Sequence, residues 1–204
     1  MAFRELDTEW DEVLIIDLLS NDERSQHKIS TDLREFLGKN GIEQLQMNCS
    51  TNAHVDEALA LALSRAKDKR FMIHFTAHGC ETGIGNNDGI SLVPWDTLKK
   101  PLTEINEALS GDLVINMIAC KGLNALKIDD LVDPAHPYYA LIGPTRDLSF
   151  EEAYRITQSF YKKLLVDAEM PRIVKEIIEE EGETIIFAQS AQARRGDTMS
   201  LTDA

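Results

Sequence analysis

A three-layer α/β/α sandwich around a mostly parallel central sheet is the fold class this sequence predicts. Short apolar runs alternate with amphipathic helical patterns along nearly the whole chain. The apolar runs lack polar alternation, as strands buried on both faces do. Single helical stretches separate most of them, and parallel strands require such crossover connections.

The elements follow in order. EVLIIDLL (12–19) is rich in branched residues and reads as a buried strand. Residues 25–39 place Ile29, Leu33, Phe36 and Leu37 at helical spacing, and Asn40-Gly41 ends that helix as a left-handed cap would. IEQLQMN (42–48) alternates apolar and polar residues, which suits an edge strand. VDEALALALSRAKDK (55–69) is a strong helix former, and FMIHFTA (71–77) is a second buried strand. Residues 79–95 read as a loop, with NNDG as a turn signal, GISLV as a small hairpin arm, and GIGNND (83–88) as a flap anchored by Pro94 and Trp95. That flap lacks the lysine and following helix of a phosphate-binding loop. Residues 95–110 form a helix with Asp96 as its N-cap and Pro101 as a delayed start or kink. DLVINMIAC (112–120), YYALIG (138–143) and TIIFAQS (184–190) are further strands. Ser149 and Glu152 stand in capping-box spacing at the head of a helix over 149–167, and another helix covers 170–182. The pattern predicts one domain over 1–204, with a core at about 12–190 and a polar tail at 194–204.

Composition narrows the function. Of 204 residues, 43% are hydrophobic, enough to bury a core. Lys plus Arg number 21 against 35 Asp plus Glu, a net charge of −14 that repels phosphate backbones and anionic membrane surfaces. Nucleic acid and membrane are therefore not expected partners. No run approaches the ~20 apolar residues of a membrane span, and MAFRELDTEWDE offers no apolar signal core. Three cysteines, Cys49, Cys80 and Cys120, are an odd number at wide spacing and read as free thiols of a cytoplasmic protein.

Two buried strands end in reactive residues, one at His78-Gly79 and the other at Ala119-Cys120. In such sheets the functional crevice lies at the carboxyl ends of the strands. If the two strands are neighbours, their tips lie roughly 5 Å apart. A thiol facing an imidazole suits nucleophilic catalysis, with the backbone N–H groups of Gly79 and Cys120 as oxyanion donors. The rival is a zinc site of His74, His78 and Cys80, with or without Cys120. It lacks C-x-x-C or H-E-x-x-H spacing, and no metal or other cofactor is expected. His74 reads better as a packed strand residue, and Cys80 as a loop thiol. His27, His54 and His136 have no partner in sequence and read as structural or surface residues.

HFTAHG (74–79) followed by VINMIACKG (114–122) resembles the caspase-like (clan CD) cysteine peptidases. In that family one apolar strand ends in His-Gly and the next in Ala-Cys, and ACKG is close to the caspase ACRG. YYALIGPTRDLSFEEAYRITQSFYKKLL (138–165) resembles the CHAT branch more closely still. The resemblance implies a cysteine endopeptidase with Cys120 as nucleophile, His78 as base and acid, and the Gly79 and Cys120 amides as oxyanion hole. It names no third, orienting side chain. Ile118 stands where caspases carry Gln and metacaspases Asp, so neither an acidic nor a basic substrate preference is supported. Arg24, Arg146 and Asp147 are candidates for the substrate pocket, though each reads more readily as a surface charge. The expected partners are a protein or peptide substrate and an activating protein or second copy. Members of this kind in bacteria often serve programmed death or antiviral defence. The alternative is a catalytically silent caspase-like module that binds and regulates a partner.

Overall fold

A computed structural model describes residues 10–86, 92–129, 135–166, 169–182 and 185–189. The sheet contains β1 (Glu12–Asp17), β2 (Glu43–Asn48), β3 (Phe71–Gly79), β6 (Val114–Ala119), β7 (Ala140–Pro144) and β8 (Ile185–Gln189), in the order β2-β1-β3-β6-β7-β8. All neighbours along this path run parallel except β7 and β8. A short hairpin of β4 (Gly83–Gly85) and β5 (Leu92–Pro94) continues antiparallel from the tip of β3. The fold class expected from the apolar runs is the one observed.

Alternation along the central strands sorts the core into two layers. Ile73, Phe75 and Ala77 of β3 pack with Leu14, Ile16, Ile115 and Met117 on one face. That face is covered by α3 (Asn52–Arg65) and α4 (Trp95–Ala108). On the other face, Val13, Ile15, Met72, Val114 and Ile118 pack against α2 (Ile29–Lys39), α5 (Phe150–Leu164) and α6 (Met170–Glu181). His74, Thr76 and His78 belong by alternation to this second face, as do Asn116 on β6 and Cys120 directly after it.

The strand order creates the crevice. The chain leaves β1 toward one edge to make β2, then returns past β1 to β3 and proceeds toward the other edge. Connections from β1 and β3 thus depart in opposite senses, which opens a cleft at the carboxyl ends of these strands. Both His78 and Cys120 stand at that end.

Several local expectations shift. The helix expected over 25–39 is two helices, α1 (Asn21–His27) and α2, because Lys28 takes a left-handed conformation at φ 52° and ψ 19°. No glycine or proline marks the break. Relieving the left-handed strain, worth roughly 1–2 kcal/mol for a residue with a Cβ, is partly offset by the unfolded-state entropy of glycine. Lys28→Gly is therefore expected to raise stability by up to about 1 kcal/mol in urea denaturation. Residues 83–85, read as the start of a loop, pair instead with β3, and residues 87–91 of the expected flap and hairpin arm lie outside the described residues. Asp96 is not the N-cap of α4. The helix starts at Trp95 with Pro94, two residues before Asp96, at the cap position, and runs through Pro101. The polar tail at 194–204 also lies outside the described residues. No helix among the described residues is long and apolar enough to cross a membrane.

Candidate active site

The site is built on the pairing of β3 with β6, whose register runs from Ile73 opposite Ile115 to Ala77 opposite Ala119. One step further along this register, His78 and Cys120 fall side by side on the same face. Both are partly exposed, and both line one cavity. The backbones are in close approach here. A Cβ at Gly79 would fall onto the carbonyl oxygen of Cys120 and 3.1 Å from the Ala119 Cβ, so only glycine lets the two tips meet.

After Cys120 the chain turns sharply. Lys121 is left-handed at φ 52° and ψ 30°, its N–H bonds the Arg146 carbonyl at 3.0 Å, and a 3₁₀ helix over Gly122–Ile128 follows. A lysine held in that region is a strained position, and it lifts Cys120 to the apex between strand and helix. The thiol is held by the segment after β7. Leu148 N–H donates to Sγ at 3.4 Å, and the thiol donates to the Leu148 carbonyl at 3.6 Å.

His78 is oriented by a residue that sequence reasoning did not name. Its Nε2 bonds Glu23 Oε1 at 2.8 Å. Glu23 closes a capping box at the head of α1. Ser20 N–H donates to its carboxylate at 3.0 Å, the Ser20 hydroxyl donates to it at 2.8 Å, and Glu23 N–H returns a bond to Ser20 Oγ at 3.3 Å. Burial pushes the Glu23 carboxyl up, but the Ser20 hydroxyl, the Ser20 N–H and His78 together outweigh it and hold the group below its ordinary value. That bond occupies Nε2 and leaves Nδ1 as the other ring nitrogen.

A second capping box, at the head of α5, includes the cavity-lining Ser149. Ser149 N–H donates to Glu152 at 2.8 Å, and Glu152 N–H donates to Ser149 Oγ at 3.2 Å. The Arg146 guanidinium at 2.6 Å, followed by the Ser149 N–H and hydroxyl, holds the Glu152 carboxyl down at about 2. This box fixes Phe150, whose ring packs edge-on to His78 at 5.6 Å and stacks on His27 at 3.7 Å. His27 is therefore tied to the rim of the site through Phe150.

The other residues singled out by sequence fall as follows. Ile118 lines the cavity and is buried. Arg24 does not line it. Its Nε lies 3.3 Å from Asp17 Oδ2, and its other nitrogens bond the Leu19 carbonyl and Asn21. Asp17 is fully buried, which pushes its carboxyl up against the opposing pull of the Ser30 hydroxyl, Arg24 and the Leu19 N–H. Arg146 is spent on Glu152 and the Asp147 carbonyl, and Asp147 is exposed; neither lines the cavity. His74 is sealed in the core against Thr76 and Tyr161, and burial pushes its imidazole down to about 3. Cys80 sits in the turn into β4. Its N–H bonds the Gly83 carbonyl, and its carbonyl accepts from the Trp95 indole. The Thr82 hydroxyl, aided by nearby N–H groups and Lys121, outweighs burial and lowers its thiol. Among the described residues no group of three His, Cys, Asp or Glu is placed to hold a metal ion.

No protein-family model matches the chain. No curated protein matches it either. Solved structures do. RgpB of Porphyromonas gingivalis, in the complex of its pro- and mature domains, superposes with a TM-score of 0.56 at 14% identity. That match covers 92% of this chain and 50% of the RgpB chain, so this chain spans half the length of that neighbour. The crystal structure of drICE matches with a TM-score of 0.53 at 13% identity, over 91% of this chain and 90% of the other. Both are caspase-like clan CD folds, and at these identities the likeness establishes the caspase-like fold of this chain.

Proposed function

We propose that the protein is a cysteine endopeptidase of the caspase-like kind, with Cys120 as nucleophile and His78 as its base and acid. The observation that carries this reading is the shared cavity at the tips of β3 and β6, which exposes a thiol and an imidazole on one face of the sheet. The caspase-like fold supports it.

In this mechanism Cys120 gives its proton to His78 Nδ1 as Sγ attacks the carbonyl carbon of the scissile bond. The negative charge that forms on the carbonyl oxygen is met by the N–H groups of Gly79 and Cys120. His78 then passes its proton to the leaving amine, which frees the first product and leaves a thioester on Cys120. Water attacks that thioester with His78 again accepting the proton, and the thiol is restored as the acid departs. Glu23 is a positioning residue. It keeps the ring turned toward Cys120 and stabilises the imidazolium between the two transfers.

The test is incubation with an unfolded protein substrate, followed by mass spectrometry of newly formed N-termini. New termini dependent on the protein are expected, and their absence at any concentration contradicts the reading. A protein that pairs with or activates this one completes the proposal, since RgpB itself is seen with its pro-domain. The CHAT-type affinity rests on the sequence of residues 138–165, and a place in bacterial defence on family context alone.

Glu23→Gln keeps an acceptor for Nε2 but removes the charge. A charged hydrogen bond outweighs a neutral one by about 1.4 kcal/mol, so kcat should fall about tenfold with KM little changed. The stability difference is also pH-dependent. Because the folded carboxyl is lowered, its contribution is complete above the ordinary value of 4.5 and lost as the pH falls through the folded value. Thermal melts of wild type and Glu23→Gln should therefore differ near pH 7 and converge in acid.

A silent module that binds a partner is the second reading. It is favoured by the way the Leu148 backbone holds the thiol on the segment before α5. Binding of a partner with no new termini would select it.

A further inference from the structure

We propose that the cavity beside His78 and Cys120 receives the side chain that precedes the scissile bond, and that it accepts small aliphatic residues in preference to charged or aromatic ones. This rests on the peptidase reading and adds the substrate class.

The lining decides the chemistry. Its apolar lining is Leu19, Ile29, Ile118, Leu148, Phe150 and Ala153. The polar groups within reach are already engaged. The Thr76 hydroxyl pairs with Ser30 and His74, and Ser149 is committed to its capping box. Three charged groups around the site are paired as well. Arg24 lies on Asp17, Arg146 on Glu152, and Glu23 on Ser20 and His78. A substrate carboxylate or guanidinium entering here would lose its water and meet no Asp, Glu, Lys or Arg among the described lining residues, which strongly disfavours it. An aliphatic side chain meets apolar walls and gains from burial.

Size sets the second limit. The cavity has a volume of about 50 Å³. An apolar cavity that holds benzene measures roughly 150 Å³. Alanine, valine or leucine can seat a methyl or a short branch in the smaller space, and a phenyl ring cannot. One methylene gained or lost in an apolar pocket shifts selectivity about tenfold or more, so the preference should be sharp.

The experiment measures kcat/KM on peptides that differ only in the residue before the cut, with Ala, Val, Leu, Phe, Asp and Arg there. Wild type is expected to favour Ala, Val or Leu at least tenfold over Phe, Asp and Arg. Ala153→Leu fills the cavity, so Leu peptides should lose at least tenfold relative to Ala peptides. Leu148→Ala enlarges it and should bring Phe peptides up toward Leu peptides, which covers the case in which Ala153→Leu fails to fold. Turnover after Asp or Arg that equals turnover after Leu would overturn the pocket assignment while leaving the peptidase standing. No turnover above the Cys120→Ala background on any peptide would overturn the peptidase reading and this inference together.

Discussion

Cys120→Ala is expected to abolish peptide hydrolysis while leaving the fold intact. The thiol is the only atom of the cleft proposed to bond with substrate carbon, and no other cysteine lines the cavity among the described residues. What remains should be the background supplied by binding and oxyanion donors alone, a loss of about 10⁴-fold or more by analogy with other nucleophile deletions. The lost contacts are two weak sulfur bonds to Leu148. Stability should thus change by no more than about 1 kcal/mol. Steady-state hydrolysis and a denaturant melt of the same preparation check both halves of this expectation. A variant that unfolds would show the thiol to be structural.

Gly79→Ala should have the second-largest effect, for a steric reason. The new methyl would land on the carbonyl oxygen of Cys120, which is backbone and cannot rotate away. The ends of β3 and β6 would have to part, pulling His78 from Cys120. Overpacking of this kind costs about 1–3 kcal/mol. Activity should suffer more than stability, because a misplacement of about 1 Å at reacting groups can cost about 100-fold in rate. The measurement is again a paired one, of melting and turnover. Unchanged values for both would mean that the strand tips are not in close approach.

The contrast between these two variants shows what could be read from the chain. Buried parallel strands announce themselves as unbroken apolar runs, so β1, β3, β6 and β7 were legible, and with them the positions of His78 and Cys120 at strand ends. The capping box at Ser149 was legible for the same reason, being a local pattern. Its consequence was not, because Phe150 reaches His78 only through the packing of α5 on the sheet. Glu23 went unnoticed although Ser20 and Glu23 stand in the same spacing. The signal that would have found it is a capping box directly after the first strand, since that strand's carboxyl end opens into the same cleft.

The pocket candidates differ for an electrostatic reason. Arg24 and Arg146 were plausible because each follows a strand near the cleft. Asp17 and Glu152 draw them away, and no sequence pattern reports that a buried strand-end aspartate will take the nearest guanidinium. Ile118 needed no such partner and lies where its place on β6 puts it. The break at Lys28 was equally silent, because lysine carries no signal for a left-handed conformation.

Thiol reactivity by itself does not test the central claim, because the Cys80 thiol is lowered and partly exposed and is expected to compete for simple alkylating agents. The direct measurement uses a peptide probe that ends in a leucine acyl electrophile, with the labelled cysteine located by mass spectrometry of the digested protein. The label is expected on Cys120, absent from that position in Cys120→Ala, and slowed by at least 100-fold in His78→Ala. Equal labelling of wild type and Cys120→Ala, with the probe found on Cys80, would contradict the assignment of Cys120 and His78 as a catalytic pair.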